Sequence, residues 1–152
     1  MTAVQTAPDD QEDNRNFPLR NNSGTYRGRT ILLMDDEESI LESFGRLLTM
    51  KGYTVLAARN GNEALTMYRA AKDAGNRIDV VILDLTIPGG MGGIETIGEL
   101  RKIDPDVRAL VSSGLSREMT MEYSRYGFAG IIPKPYQWTD LLYVIENVLM
   151  QK

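Results

Sequence analysis

The 152-residue sequence contains no cysteine and no histidine. The first absence excludes disulfides and thiolate metal sites. The second removes Ser-His-Asp and Cys-His catalysis, the usual zinc enzymes and any role as a phosphohistidine carrier. No apolar run approaches the length that spans a bilayer, and the N-terminus lacks the apolar core of a signal peptide. A cytoplasmic protein without membrane contact is therefore expected. The formal net charge is −4, so a basic nucleic-acid-binding surface is not expected either. No Gly-Lys-Ser/Thr phosphate loop occurs, and Gly89-Gly90-Met91-Gly92-Gly93 does not fit Gly-x-Gly-x-x-Gly. That stretch reads as a tight connection instead. The chemistry left to this chain is that of carboxylates, lysine, hydroxyls and backbone.

What is present is a chain of ordinary globular composition, 42% hydrophobic and 25% charged, long enough for one domain with a real core. Residues 1–28 are polar and aperiodic and read as a flexible tail or linker. Phe17 and Leu19 are the apolar residues in it that could dock. The folded domain is expected over 29–152. Within it, short apolar runs alternate with amphipathic stretches. Thr30–Met34 reads as a first strand. Ile40, Leu41, Phe44, Leu47 and Leu48 mark a helix, with Glu37 and Glu38 in its first turn and Gly52 at its end. Tyr53–Ala57 is a second strand. Asn60 can cap a helix bearing Ala64, Leu65, Tyr68 and Ala71, stopped at Gly75-Asn76. Val80–Leu83 runs unbroken into Asp84, as a strand buried on both faces does. Ile94, Ile97 and Leu100 mark a third helix ending at Asp104-Pro105. Val107–Val111 is a fourth strand leading into Ser112-Ser113-Gly114. Ser116–Tyr126 is a weaker helix, with Met119, Tyr123 and Tyr126 on one face and Gly127 as its stop. Gly130–Ile132 is a fifth strand, and Leu141, Leu142, Ile145, Val148 and Leu149 line a last helix.

Five strand–helix repeats predict a parallel sheet covered by helices on both faces. The fold class is α/β, a flavodoxin-like, doubly wound (βα)5 sheet in the order 2-1-3-4-5. In that order the crevice lies between the carboxyl ends of the first and third strands. Those ends carry Asp35-Asp36 and Asp84. Three carboxylates so gathered repel by about 4 kcal/mol per pair at roughly 4 Å and an effective dielectric near 20. An all-oxygen set of this kind calls for a hard cation, Mg2+ or Mn2+. Lys134 follows the fifth strand between two prolines, and a Lys134–Pro135 bond can be cis. Ser112 and Ser113 both end the fourth strand and offer a hydroxyl. Carboxylates, a cation and a hydroxyl donor form a toolkit for stabilising charge on a transferring phosphoryl group.

Asp35-Asp36, Asp84, Ser113 and Lys134-Pro135, each at the end of its strand, resemble the receiver domain of two-component response regulators. The likeness covers about Arg29 to Met150. It implies that Asp84 is the phosphoacceptor. It also implies that Asp36 binds Mg2+ directly, that Asp35 does so directly or through water, and that the Thr86 backbone carbonyl completes the protein ligands. Lys134 and Ser113 would contact the phosphoryl oxygens, Ser113 being preferred because the small Gly114 follows it. The donor would be a phosphohistidine on a sensor histidine kinase or a histidine phosphotransfer protein.

The loop from Leu85 to Gly93, with Ser112-Ser113-Gly114 and Pro133-Lys134-Pro135-Tyr136, is most similar to receivers at the C-terminus of hybrid sensor kinases. The polar tail would then be the linker from a kinase core. The family's switch aromatic, three residues before the lysine, is here Ile131, which implies a smaller or differently routed output change. With no output domain after the last helix, the expected output is a contact with an unidentified protein, through a surface including some of Tyr123, Tyr126, Tyr136, Trp138 and Tyr143. The chain alone is not expected to be a turnover enzyme, although it would promote its own aspartyl phosphorylation and dephosphorylation. Two other readings are a phosphorylation-independent scaffold and a Mg2+-dependent phosphohydrolase. The second lacks an inserted cap to build a substrate pocket.

Overall fold

A computed structural model describes residues 28–114, 122–135 and 137–151. The expected tail except Gly28, most of the weak helix that begins at Ser116, and Tyr136 lie outside the described residues. Along the chain come β1 (Thr30–Met34), α1 (Glu38–Met50), β2 (Thr54–Ala58), α2 (Gly61–Asp73) and β3 (Val80–Asp84). There follow α3 (Gly93–Ile103), β4 (Ala109–Ser113), a 3-10 turn (Tyr123–Tyr126), β5 (Gly130–Pro133) and α4 (Trp138–Met150). The five strands form one sheet in the order β2-β1-β3-β4-β5, and every neighbouring pair is parallel. This is the flavodoxin-like doubly wound order expected from strict alternation.

Side chains alternate across each strand, which divides the core into two layers. Leu32, Met34, Val81, Leu83, Ala109 and Val111 pack with Ala64, Leu65 and Tyr68 of α2 and Ile97 and Leu100 of α3. Ile31, Leu33, Val80, Ile82, Leu110 and Ile132 pack with Leu41 and Leu48 of α1 and Leu141, Leu142 and Ile145 of α4. Burial on both faces explains why β1 and β3 are unbroken apolar runs. Each such Leu or Ile contributes about 1.5–3 kcal/mol through burial.

Two strands start later than the apolar pattern predicts. The expected second strand began at Tyr53, but the Tyr53 N–H closes the end of α1 on the Leu48 carbonyl at 3.1 Å. Pairing begins at Thr54, beside Thr30. The expected fourth strand began at Val107, whose N–H is taken by the Asp104 carbonyl at 3.1 Å. β4 therefore runs to Ser113 and carries both serines into the ladder, Ser112 beside Asp84 and Ser113 beside Pro133.

Local signals act as read. The Asn60 side chain accepts from the Glu63 N–H at 3.0 Å and caps α2. Gly52 and Gly127 have φ of 101° and 102° after α1 and the 3-10 turn, a region open to glycine at little cost. Glu37 is the N-cap residue of α1 rather than part of its first turn. Ile94, expected on the core face of α3, is 38% exposed, while Thr96 is wholly buried in its place. At the opposite edge of the sheet Arg108 donates to the carbonyls of Val148, Leu149 and Gln151, closing the C-terminus of α4.

Candidate functional site

The parallel order brings the carboxyl ends of β1, β3 and β5 to one edge of the sheet. Asp35 follows the last residue of β1, Asp84 ends β3 and Lys134 follows β5. Their positions in the pleat match those of Leu33, Ile82 and Ile132, so all three turn toward the side of the sheet covered by α1 and α4. One carboxylate oxygen from each of Asp35, Asp36 and Asp84 lies within 4.8 Å of the others. Asp35 and Asp84 are buried and Asp36 is exposed. The Lys134 ammonium bridges the two buried acids, 3.0 Å from Asp35 Oδ2 and 3.2 Å from Asp84 Oδ2. The Lys134–Pro135 peptide is cis, as its sequence allows.

The electrostatics follow from this crowding. Burial, and then the Asp35 charge, push the Asp84 carboxyl up from 3.8 to about 6, against the pull of Lys134. Asp84 Oδ1 gets only a long contact from the Thr86 N–H, 3.4 Å. The Glu37 N–H donates to Asp35 Oδ1 at 2.9 Å. Asp35 Oδ2 is buried and meets the Lys134 ammonium as an ion pair without a directed hydrogen bond. Three carboxylates against one ammonium leave two negative charges when all are ionised. The donor set is oxygen only, its net charge is matched by a divalent cation, and Asp35 Oδ2 holds an ion pair but no directed hydrogen bond. The residues fit a hard divalent cation.

Ser113 is buried at the end of β4, and its backbone carbonyl accepts from the Lys134 N–H at 2.8 Å. Its hydroxyl donates to the Gly114 carbonyl at 2.6 Å rather than pointing at the acids. Ser112 stands directly across the ladder from Asp84. Thr86 is exposed two residues beyond Asp84. Ile131 is half-buried against the α2 and α3 core layer. Of the described aromatics expected at an output surface, Tyr143 is the most exposed; Tyr126 and Trp138 are partly so, and Tyr123 is half-buried.

The glycine-rich loop packs closely on the turn after Asp84. A Cβ on Gly92 would stand 2.5 Å from the Leu85 carbonyl oxygen, and one on Gly93 would stand 2.9 Å from that of Asp84. The Gly93 N–H donates to the Leu85 carbonyl at 3.1 Å. The loop thus folds back on Asp84–Leu85 backbone, as a tight connection does. Two features near the site escaped sequence reasoning. Arg59, after β2, forms a two-pronged pair with Glu38 in the first turn of α1, at 2.9 and 2.7 Å. Thr96, inside α3, donates its hydroxyl to the Gly92 carbonyl at 2.6 Å. Its place on the Gly93, Ile97, Leu100 face was the available signal for its burial.

Residues 31–146 match the family described as the response regulator receiver domain. The chain is 32% identical over 123 residues to the chemotaxis protein CheY of Thermotoga maritima, covering 80% of this chain and 98% of that protein. It is 31% identical over 124 residues to the sensor kinase CckA of Brucella abortus, covering 79% of this chain but only 12% of that longer protein. Among solved structures, the CheX–CheY–BeF3–Mg2+ complex from Borrelia burgdorferi contains a chain that superposes with a TM-score of 0.76 at 25% identity. That match covers 88% of this chain and 98% of the other. Among the described residues no helix is long and apolar enough to cross a membrane. With the sheet order and the acidic edge these likenesses agree, and the chain belongs to the receiver domain family of two-component response regulators, the proteins of phosphorelay signalling.

Proposed function

We propose that Asp84 is the phosphoacceptor, and that the phosphoryl group comes from a phosphohistidine on a sensor histidine kinase or a histidine phosphotransfer protein. An Asp84 carboxylate oxygen forms the new bond to phosphorus. The bond from phosphorus to the donor imidazole nitrogen breaks, and that nitrogen leaves with the electron pair. The observation that carries this reading is the Lys134 ammonium held between Asp35 and Asp84 at the carboxyl edge of the sheet. It is positioned to follow an Asp84 oxygen as charge builds on the transferred group. The Ser113 hydroxyl turns from Gly114 to meet a second phosphoryl oxygen.

Asp35, Asp36, Asp84 and the Thr86 backbone carbonyl would hold Mg2+, or Mn2+ in its place. When bound, the cation offsets the charge of the acids and of the transferring phosphoryl oxygens. The beryllofluoride–Mg2+ complex of the Borrelia burgdorferi relative supports this assignment by likeness. The product adds close to two negative charges at the sheet edge, biasing a two-state surface that an output protein reads. With Ile131 in place of an aromatic, that response runs through the contacts of β5 and α4 rather than an inward-turning ring. The chain accepts and releases its own phosphoryl group and turns over no external substrate. It works in the cytoplasm, alone or as the receiver of a hybrid sensor kinase, for which the CckA likeness is the support.

The test is intact mass after incubation with a small acyl-phosphate donor, with and without Mg2+, beside Asp84→Asn. One added phosphoryl group that requires both Mg2+ and Asp84 is expected. No adduct on folded protein, together with no beryllofluoride binding, overturns the reading in favour of a phosphorylation-independent scaffold.

A further inference from the structure

Thr96 is a polar side chain in the middle of a core layer, with no exposed surface. A buried helical threonine commonly satisfies itself on the carbonyl four residues back, and the 2.6 Å bond to the Gly92 carbonyl is of that kind. Its further neighbours set it apart. The same Oγ lies 4.0 Å from Met34 Sδ, and Met34 is the residue before Asp35. It also faces Gly61, the first residue of α2, so closely that a Cβ there would overlap the hydroxyl and stand 2.6 Å from Met91 Cγ and Sδ. The Gly61 N–H in turn donates to the Met91 carbonyl at 2.9 Å.

One hydroxyl therefore touches three segments that meet beneath the acidic edge: the end of β1, the start of α2, and the loop that returns from the acceptor turn. Gly92, which it holds, rests on the Leu85 carbonyl, between Asp84 and Thr86. We propose that Thr96 is a positioning residue for the divalent-cation site. Its hydroxyl sets the spacing between the Asp35-Asp36 end of β1 and the Asp84–Thr86 turn. The inference rests on the cation reading given above. Mg2+ requires near-ideal octahedral geometry at about 2.0–2.1 Å, so a shift of a few tenths of an ångström between the two limbs is felt in affinity.

The experiment measures Mn2+ affinity by the electron paramagnetic resonance signal of the free ion, with Mg2+ as competitor, on the full chain and at a temperature where all forms are folded. Thr96→Val, nearly the same shape without the hydroxyl, is expected to bind the cation roughly tenfold more weakly, as loss of a supporting hydrogen bond commonly does. Thr96→Ser, which keeps the hydroxyl, is expected to stay within about twofold of the parent. A Thr96→Val protein with a lowered melting temperature but unchanged cation affinity overturns the proposal and leaves Thr96 a structural residue. If Thr96→Val does not fold, amide shifts of the parent protein decide. Mg2+ addition must move the Thr96 and Gly61 signals, and their constancy overturns the proposal. A parent protein that binds neither ion fails earlier, at the cation reading itself.

Discussion

Replacing Asp84 by Asn is expected to stabilise the fold in the absence of divalent cations. The Asp84 carboxyl titrates near pH 6 in the fold, against 3.8 when free, because it is buried and faces Asp35. A tenfold change in proton affinity is about 1.4 kcal/mol, so full ionisation costs the native state up to about 3 kcal/mol at neutral pH. Solvent screening at the mouth of the site reduces this. The 3.2 Å Lys134 bond is already offset within that shift, and Lys134 keeps its 3.0 Å pair with Asp35 in the variant. A net gain of about 1–2 kcal/mol remains, roughly 4–8 °C in Tm for a domain of this size. The sign with pH is fixed. The folded state binds the Asp84 proton more tightly than the unfolded chain, so the parent loses stability as pH rises from about 4 to about 6, and the loss is complete above that. The Asn variant lacks this step.

Urea unfolding of both proteins between about pH 4 and pH 7.5, with chelator present, should show the difference opening across that window. Mg2+ at about ten times its Kd should then restore about 1.4 kcal/mol to the parent alone. A difference that is constant with pH, or a less stable Asn variant at neutral pH, would refute the reasoning.

Lys134→Met should leave Asp35 and Asp84 facing each other without their shared cation, raise the Asp84 titration point further, and prevent stable phosphorylation. Carboxyl carbon shifts followed against pH, and phosphoryl transfer from a small donor, check the two parts. Asn60→Ala removes the cap on Glu63 N–H and should cost about 1 kcal/mol by chemical unfolding. Cation affinity should be unchanged. Tyr68→Phe removes the 2.7 Å bond from the buried Tyr68 hydroxyl to Asp104, at the far edge of the sheet. It should cost about 1–2 kcal/mol in thermal unfolding and leave the phosphorylation rate as it was, and a slowed rate would tie that edge to the site.

The sequence by itself determined the alternation of strands and helices, the sheet order, the Asn60 cap and the glycine stops, and which acids stand at which strand ends. These are local patterns: an apolar run buried on both faces, a 3.6-residue stripe, a residue that ends a strand. The order of chemical groups at those ends, from Asp35-Asp36 through Asp84 and Ser113 to Lys134, also sufficed for the family. Strand ends themselves were less legible, because Tyr53 and Val107 are as apolar as strand residues and only the neighbours that claim their N–H groups exclude them. The tertiary structure alone decided how the parts meet. Lys134 lies fifty residues beyond Asp84, and whether it bridges Asp35 and Asp84 depends on side-chain reach across three strands. The raised proton affinity of Asp84 comes from burial and a like charge that no single stretch contains. The Ser113 hydroxyl faces Gly114, and the Thr96 hydroxyl joins Gly92, Met34 and Gly61. A sequence supplies the donors and acceptors at known positions along the chain, and their directions arise only when distant segments pack and each polar atom takes the partner the packing leaves it.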